Sequence, residues 1–387
     1  MKQMLKNIVS VKKGGQIMNQ EELTIFNIGE NLDSLMNLDP RGYGVCRILY
    51  SAAREYTGEP LSTNSAKKLV DTLKDGDIVY IMTGFVLRPF KKAEMDGIVS
   101  TMLLARALVK GFGVKPVIIC PKDNIEAVKN LAYAVGLHFH DTIEGLNEYP
   151  LSIAAIEFTK DSERAEYQAD ELIKKGIPSA VISIECPGAN SKGVYHNAVG
   201  LDVTELEAKQ DVLFNKLKER GVLNIAIGDL GNEIGMGALK EHLEEYIPYA
   251  AKGRCKCGCN GGIAASVKAD NIITATVSDW GCYGLIAALA YLKDDLNIMH
   301  TKEMEEEAMK TASRSGMIDM YGDLIPAIDG CCMEMNTSIV SLMRETVKSA
   351  MELKKTCTTW FEKVIELGFY EEQVNQTYED KKIKKII

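Results

Sequence analysis

"LNIAIGDLGNEIGMGALKEHLEEY", residues 223–246, is the stretch on which the choice of fold turns. Residues 223–227 form a short apolar run of the kind that makes a strand buried on both faces. The run empties into Gly228, Gly231, Gly235 and Gly237, interleaved with Asp229, Asn232 and Glu233, and a helix-like segment follows. Strand, glycine-rich turn and helix make up the repeating unit of a parallel α/β sheet. The turn either cradles a phosphate or presents carboxylates. The dinucleotide fingerprint G-x-G-x-x-G does not fit these glycine spacings. Gly188 and Gly193 have the Walker gap, but Val194 and Tyr195 stand where that motif needs Lys and Ser or Thr. The acids then carry the chemistry of the loop, although a helix N-terminus near Gly235 would also suit an anion.

Working outward, the same unit recurs. "DIVYIMTGF" (77–85), "KPVIIC" (115–120), "LSIAAIEF" (151–158), "AVISIE" (180–185) and "NIITATVS" (271–278) read as strands. Helical patterns over 93–113, 123–135 and 161–175 separate them, each closed by a glycine. The alternation predicts an α/β, Rossmann-like fold: a mainly parallel sheet with helices on both faces. Helical additions are expected at the front (42–56 and 63–74) and at the back (301–315 and 338–366). The expected organisation is a flexible extension over 1–18, one large domain over 19–375 divisible near residue 220, and a charged tail over 376–387. The basic opening segment lacks the apolar core and small-residue cleavage site of a secretory signal.

Composition narrows the function classes. A formal charge of -9 argues against a nucleic-acid surface, and no run approaches a membrane span. Most of the ten cysteines sit singly in apolar contexts, which reads as a reduced, cytoplasmic protein. The expected partners are a small-molecule substrate and further copies of the chain.

In open parallel sheets, ligands lie beyond the carboxyl ends of the strands. That rule selects four loops. "AEMDG" after the first strand brings Glu94 and Asp96, and the loop quoted above brings Asp229 and Glu233. Carboxylate oxygens are ligands of Mg²⁺ and Mn²⁺, so these four are the predicted metal set; helix capping is the other reading of any one of them. Thr83 and Gly84 at the first strand end, Asn232, and Ser278, Asp279 and Trp280 in "SDWGCYG" are expected to meet the substrate, with Trp280 either a pocket wall or a core residue. Glu185 ends its strand, and Asp329 lies in "DMYGDLIPAIDG" (319–330). Both are candidate proton-transfer groups.

Two further clusters are weighed against ordinary structure. "RCKCGCNGG" offers Cys255, Cys257 and Cys259, one donor short of a zinc set, and reads first as a cysteine-bearing glycine turn. A fourth donor would be sought at Cys282 or the Cys331–Cys332 pair. "HFH" (138–140) reads as structural, and no H-E-x-x-H or G-x-S-x-G is present.

Taken in order, the loops resemble the D-glutamate cyclase family, specifically its catalytic C-terminal domain. "TGF" with "EMDG", "IECPGANSKGVYHNAVGLDV", "IGDLGNEIGMG" and "VSDWGCYGLIAAL" carry the resemblance, from about Asp39 to Asp329. "NEIGMG" is its most specific string. Cys186, Leu230 and Asp279 depart from the arginine, glycine and asparagine of the family pattern, changes expected to retune substrate choice. The resemblance implies a divalent-cation-dependent lyase, using Mn²⁺ or Mg²⁺, that cyclises D-glutamate to 5-oxo-D-proline with loss of water. The alternatives are a metal-dependent phosphohydrolase acting on a small metabolite and a non-catalytic small-ligand binding protein.

Overall fold

The computed structural model describes residues 12–13, 16–17 and 19–356. The expected tail over 376–387, most of the expected extension over 1–18, and the end of the helix expected over 338–366 lie outside the described residues. The chain forms two compact units, one of Met1–Thr24 with Lys348–Ile387 and one of Ile25–Val347. In the first, β1 (Lys12–Lys13) and β2 (Gln16–Ile17) pair antiparallel.

The second unit holds the sheet. After α1 (Gln20–Met36), whose start belongs to the first unit, come α2 (Val45–Thr57), α3 (Leu61–Thr72) and β3 (Ile78–Thr83). A hairpin of β4 (Val86–Leu87) and β5 (Lys92–Ala93) follows, then α4 (Ile98–Phe112), β6 (Lys115–Cys120), α5 (Lys122–Ala134), β7 (His138–His140) and β8 (Ser152–Glu157). The second half runs α6 (Ser162–Lys175), β9 (Ala180–Ile184), α7 (Gln210–Glu219), β10 (Leu223–Gly228), α8 (Lys240–Tyr246), β11 (Asn271–Thr274) and α9 (Ser278–Leu292). It closes with α10 (Lys302–Arg314), β12 (Ala327–Ile328), β13 (Cys331–Cys332) and α11 (Met333–Thr356).

Seven strands form one sheet in the order β11-β10-β9-β3-β6-β8-β7, every pair parallel. Burial on both faces is why the strands are continuous apolar runs; Val79, Ile81, Val117, Ile119, Ile182 and Ile225 are fully buried. From β3 the chain winds outward to β6 and β8, then returns to β9 on the other side of β3 and winds to β11. Right-handed crossovers therefore put α4 and α5 on one face and α6 and α7 on the other. Consistent with this, α6 packs on α7, α5 on α10, and α9 on α3 and α4. No described helix is long and apolar enough to cross a membrane.

The reversal between β3 and β9 is the topological switch point, where open α/β sheets bind ligands. Register brings the strand ends level: Thr83 pairs with Ile184, Ile184 with Ile227, and Gly228 with Thr274. One boundary differs from expectation. β11 stops at Thr274 rather than 278, because Thr276 turns its N–H to the Met36 carbonyl and its hydroxyl to the Leu38 carbonyl. Ser278, Asp279 and Trp280 thereby begin α9, which is buried around its circumference as a core helix. Gly281 lets α9 sit close on the sheet, since a Cβ there would come within 2.9 Å of Ile227.

Candidate active site

Glu185 and Asp229 follow directly on β9 and β10, Asp96 comes from the turn between β5 and α4, and one carboxylate oxygen from each lies within 4.8 Å of the others. All three are buried. Asp96 is held by backbone: its Oδ1 accepts from the N–H groups of Gly97 and Asp279, both at 2.9 Å, and its Oδ2 from the N–H of Ser278 at 3.1 Å. It therefore caps the N-terminus of α9. Glu185 adopts φ +44, a left-handed conformation that costs a non-glycine residue about 1 kcal/mol or more. Its Oε2 accepts from the Ser278 hydroxyl at 2.6 Å. The Oδ1 of Asp229 is buried with no hydrogen-bond partner.

Burial and mutual repulsion disfavour ionisation throughout this group. Asp96 is pushed up to about 7 by burial and then by Asp329. Asp229 is raised by burial, Glu185 and Asp329; Glu185 by burial, Glu233 and Asp96. Glu94 is raised by burial and by Asp96. An oxygen-only set with an orphaned buried carboxylate oxygen and unrelieved repulsion fits Mg²⁺ or Mn²⁺.

Arg41 sits among these acids. It donates to the Asp329 carboxylate, to the Asp329 carbonyl at 3.1 Å and to the Thr276 carbonyl at 2.7 Å. Burial pulls its pKa down, but the Asp329 charge outweighs that and raises it. Its Nε is buried without a partner. Nothing in "DPRG" marks this arginine in the sequence, because the partner that defines it is 288 residues away.

The remaining expected site residues are distributed as follows. Glu233 braces its own loop: Oε1 accepts from the N–H groups of Asp229 (3.0 Å) and Leu230 (2.7 Å), and Oε2 from Gly231 (2.7 Å). Gly228 makes room for this carboxylate, since a Cβ there would fall 2.8 Å from its carbon. Glu94 is half-buried and outside the three-acid cluster. Asn232 donates from Nδ2 to the His196 carbonyl at 3.0 Å, while its Oδ1 and the Oγ1 of Thr83 are buried without partners. Gly84, at φ +113, packs its backbone against Pro121 and Asn124. Asp329, at φ +48, is engaged by Arg41.

Asp279 and Trp280 are occupied elsewhere. Asp279 Oδ1 accepts from the N–H of Gly97 (2.9 Å), the N–H of Ser100 (3.2 Å) and the Ser100 hydroxyl, so it caps α4 just as Asp96 caps α9. Trp280 is wholly buried and donates from Nε1 to Asn336 Oδ1 at 2.7 Å; of its two readings the structure shows the core one.

The sequence profile of the family described as "D-glutamate cyclase-like, C-terminal" matches residues 32–344. The chain belongs to this family. Over 127 residues it is 34% identical to the human protein named "D-glutamate cyclase, mitochondrial", a match covering 31% of this chain and 19% of that relative. The match thus spans about a fifth of the relative's length. The family match takes in all three carboxylates of the cluster and Arg41.

Proposed function

We propose that this chain is a divalent-metal-dependent lyase that cyclises D-glutamate, or a closely related amino acid, to 5-oxo-D-proline with loss of water. The buried Asp96, Glu185 and Asp229 cluster at the switch point is the observation that carries the reading. The substrate class comes from the family and from the human relative's name. Mn²⁺ or Mg²⁺ held by these three carboxylates would supply Lewis acidity to a substrate carboxylate oxygen.

The protein's own groups divide the rest of the work. Arg41, with Nε unpartnered and its fork fixed by Asp329, binds the substrate α-carboxylate. Thr83 Oγ1 and Asn232 Oδ1 are free acceptors for the substrate nitrogen. Glu94 is held toward its protonated form by burial and by Asp96 and keeps some exposure, so it is placed to exchange protons with the substrate. It takes two protons in turn from the α-nitrogen, one before and one after the attack, and passes both to the departing γ-carboxyl oxygen. A nitrogen–carbon bond forms, a carbon–oxygen bond breaks and water leaves, with no change of oxidation state. The roles that strand order suggested for Glu94 and Glu185 are exchanged in this assignment. Several acids facing one guanidinium suit a substrate carrying an ammonium as well as carboxylates.

Chiral chromatography of D-glutamate incubated with the protein and Mn²⁺ tests the reading. Product is expected with the wild type, and only background with EDTA or in Asp229→Asn. Equal turnover in the variant, or none in the metal-loaded wild type, refutes it.

A further inference from the structure

We propose that Cys255, Cys257, Cys259 and His196 form a closed, structural zinc site that fixes the loop after β9 against the 252–263 loop. Four donor atoms, three sulfurs and one imidazole nitrogen, lie within 4.8 Å of one another. His196 Nε2 is 3.1 Å from Cys257 Sγ and 3.7 Å from Cys259 Sγ. Cys255 Sγ is 3.5 Å from Cys259 Sγ and 3.7 Å from Cys257 Sγ. Zinc bonds of about 2.3 Å to sulfur and about 2.0 Å to nitrogen, arranged tetrahedrally, give donor separations of roughly 3.5–3.8 Å. The four side chains stand at about that spacing.

The surroundings are those of a thiolate site. Cys259 Sγ accepts from the N–H of Gly261 at 3.3 Å and from Asn190 Nδ2 at 3.4 Å, and Cys257 Sγ from the N–H of Cys259 at 3.5 Å. Such donors around the ligands orient them and offset their charge. His196 is buried, which favours its neutral form, and the Val194 backbone hydrogen-bonds its ring. Gly258 at φ +78 and Asn260 at φ +60 turn the chain tightly enough to bring alternate cysteines together.

The fourth donor was expected at Cys282 or Cys331–Cys332. Cys282 instead lies inside α9, with Sγ directed to the Ser100 carbonyl, and His196 takes the place from 61 residues before Cys257. Four protein donors leave no open position, which marks a structural ion rather than a catalytic one. Soft sulfur donors here and oxygen donors at the carboxylates would also sort two different metals. The site joins loops that touch the reaction centre: Lys256 N–H donates to the Gly200 carbonyl at 2.7 Å, Asn190 Nδ2 to the Gly262 carbonyl at 2.7 Å, and Asn232 to the backbone of His196 itself.

The test is metal analysis of untagged protein after exhaustive dialysis against EDTA. One zinc per chain should remain in the wild type and in Asp229→Asn, and be lost from Cys257→Ser. Protein produced in cobalt-supplemented medium should show tetrahedral d–d bands with sulfur-to-cobalt charge transfer. If Cys257→Ser does not fold, the wild-type cobalt spectrum decides alone. Wild-type protein without zinc and without these bands, or a native disulfide among the three cysteines, overturns the proposal.

Discussion

Removing divalent ions and raising the pH from about 5.5 to about 8 should destabilise the protein, the opposite of the behaviour of paired carboxylates. Asp96 has a folded pKa of about 7 against 3.8 for the free side chain, set by burial and then by Asp329. The folded state thus keeps a proton that the unfolded chain has released. This contribution is complete below the unfolded value and is lost as pH climbs through about 7. Between about pH 5.5 and 7 the loss spans ~1.5 units, or about 2 kcal/mol. Glu94, Glu185 and Asp229 are shifted in the same direction and add to it. Asp39, whose pKa is lowered, finishes ionising below the window and does not oppose the trend.

For a chain of this size about 2 kcal/mol corresponds to a fall in Tm of roughly 2–3 °C. Melts followed by circular dichroism at both pH values, in EDTA and in Mn²⁺, measure it. Bound Mn²⁺ takes the place of the retained protons, so its stabilisation should be larger at the higher pH. Asp229→Asn should flatten the slope in EDTA and blunt the Mn²⁺ response. A Tm in EDTA that holds steady or rises with pH would refute the picture of an uncompensated carboxylate cluster.

Arg41→Ala should raise KM for D-glutamate about 10- to 100-fold, the range expected for losing one charge-assisted hydrogen bond; a change confined to kcat would place the arginine elsewhere. Glu233→Gln puts an amide against a backbone N–H that now has an acceptor, costing about 1–3 kcal/mol in urea unfolding. An unchanged midpoint would show that the loop needs no brace. Trp280→Phe removes the Nε1 bond to buried Asn336 and some packing, with an expected loss of about 2–3 kcal/mol and unchanged kcat/KM well below Tm. A raised KM would put the ring in the pocket.

Six of the seven sheet strands were legible because a parallel sheet buried on both faces writes them as short apolar runs; β7, at the edge, has no such run. The end of β11 was not legible, because the bonds that pull Thr276 out of the sheet go to Met36 and Leu38, far off in the chain. Site residues followed the same division. Asp229 stands at a strand end and Asp96 just before a helix, positions that the local pattern marks. The spacing of Glu233 from Asp229 gives proximity but not direction, and its oxygens turn back onto the loop. Arg41 and His196 matter through partners more than 60 residues away, and no local pattern encodes such a pairing.

Asp279 shows what the structure does with a departure from the family pattern. On sequence grounds an acid at this position should retune substrate choice. Its carboxylate instead faces the N-terminus of α4 and Ser100, with Oδ2 lying 3.3 Å from the Tyr283 hydroxyl oxygen. Asp279→Asn keeps Oδ1 for the Gly97 and Ser100 N–H groups, and its amide can donate to the Tyr283 oxygen, whose hydrogen already goes to Glu305 at 2.6 Å. The variant removes a buried charge that burial and Asp96 both disfavour. It should therefore leave KM for D-glutamate unchanged while stability at pH 8 in EDTA stays equal or rises by about 1 kcal/mol. Steady-state kinetics with urea unfolding separate the two effects. A tenfold change in KM would mean that capping geometry at α4 reaches the substrate, and the carboxylate at 279 would have to be counted in the site.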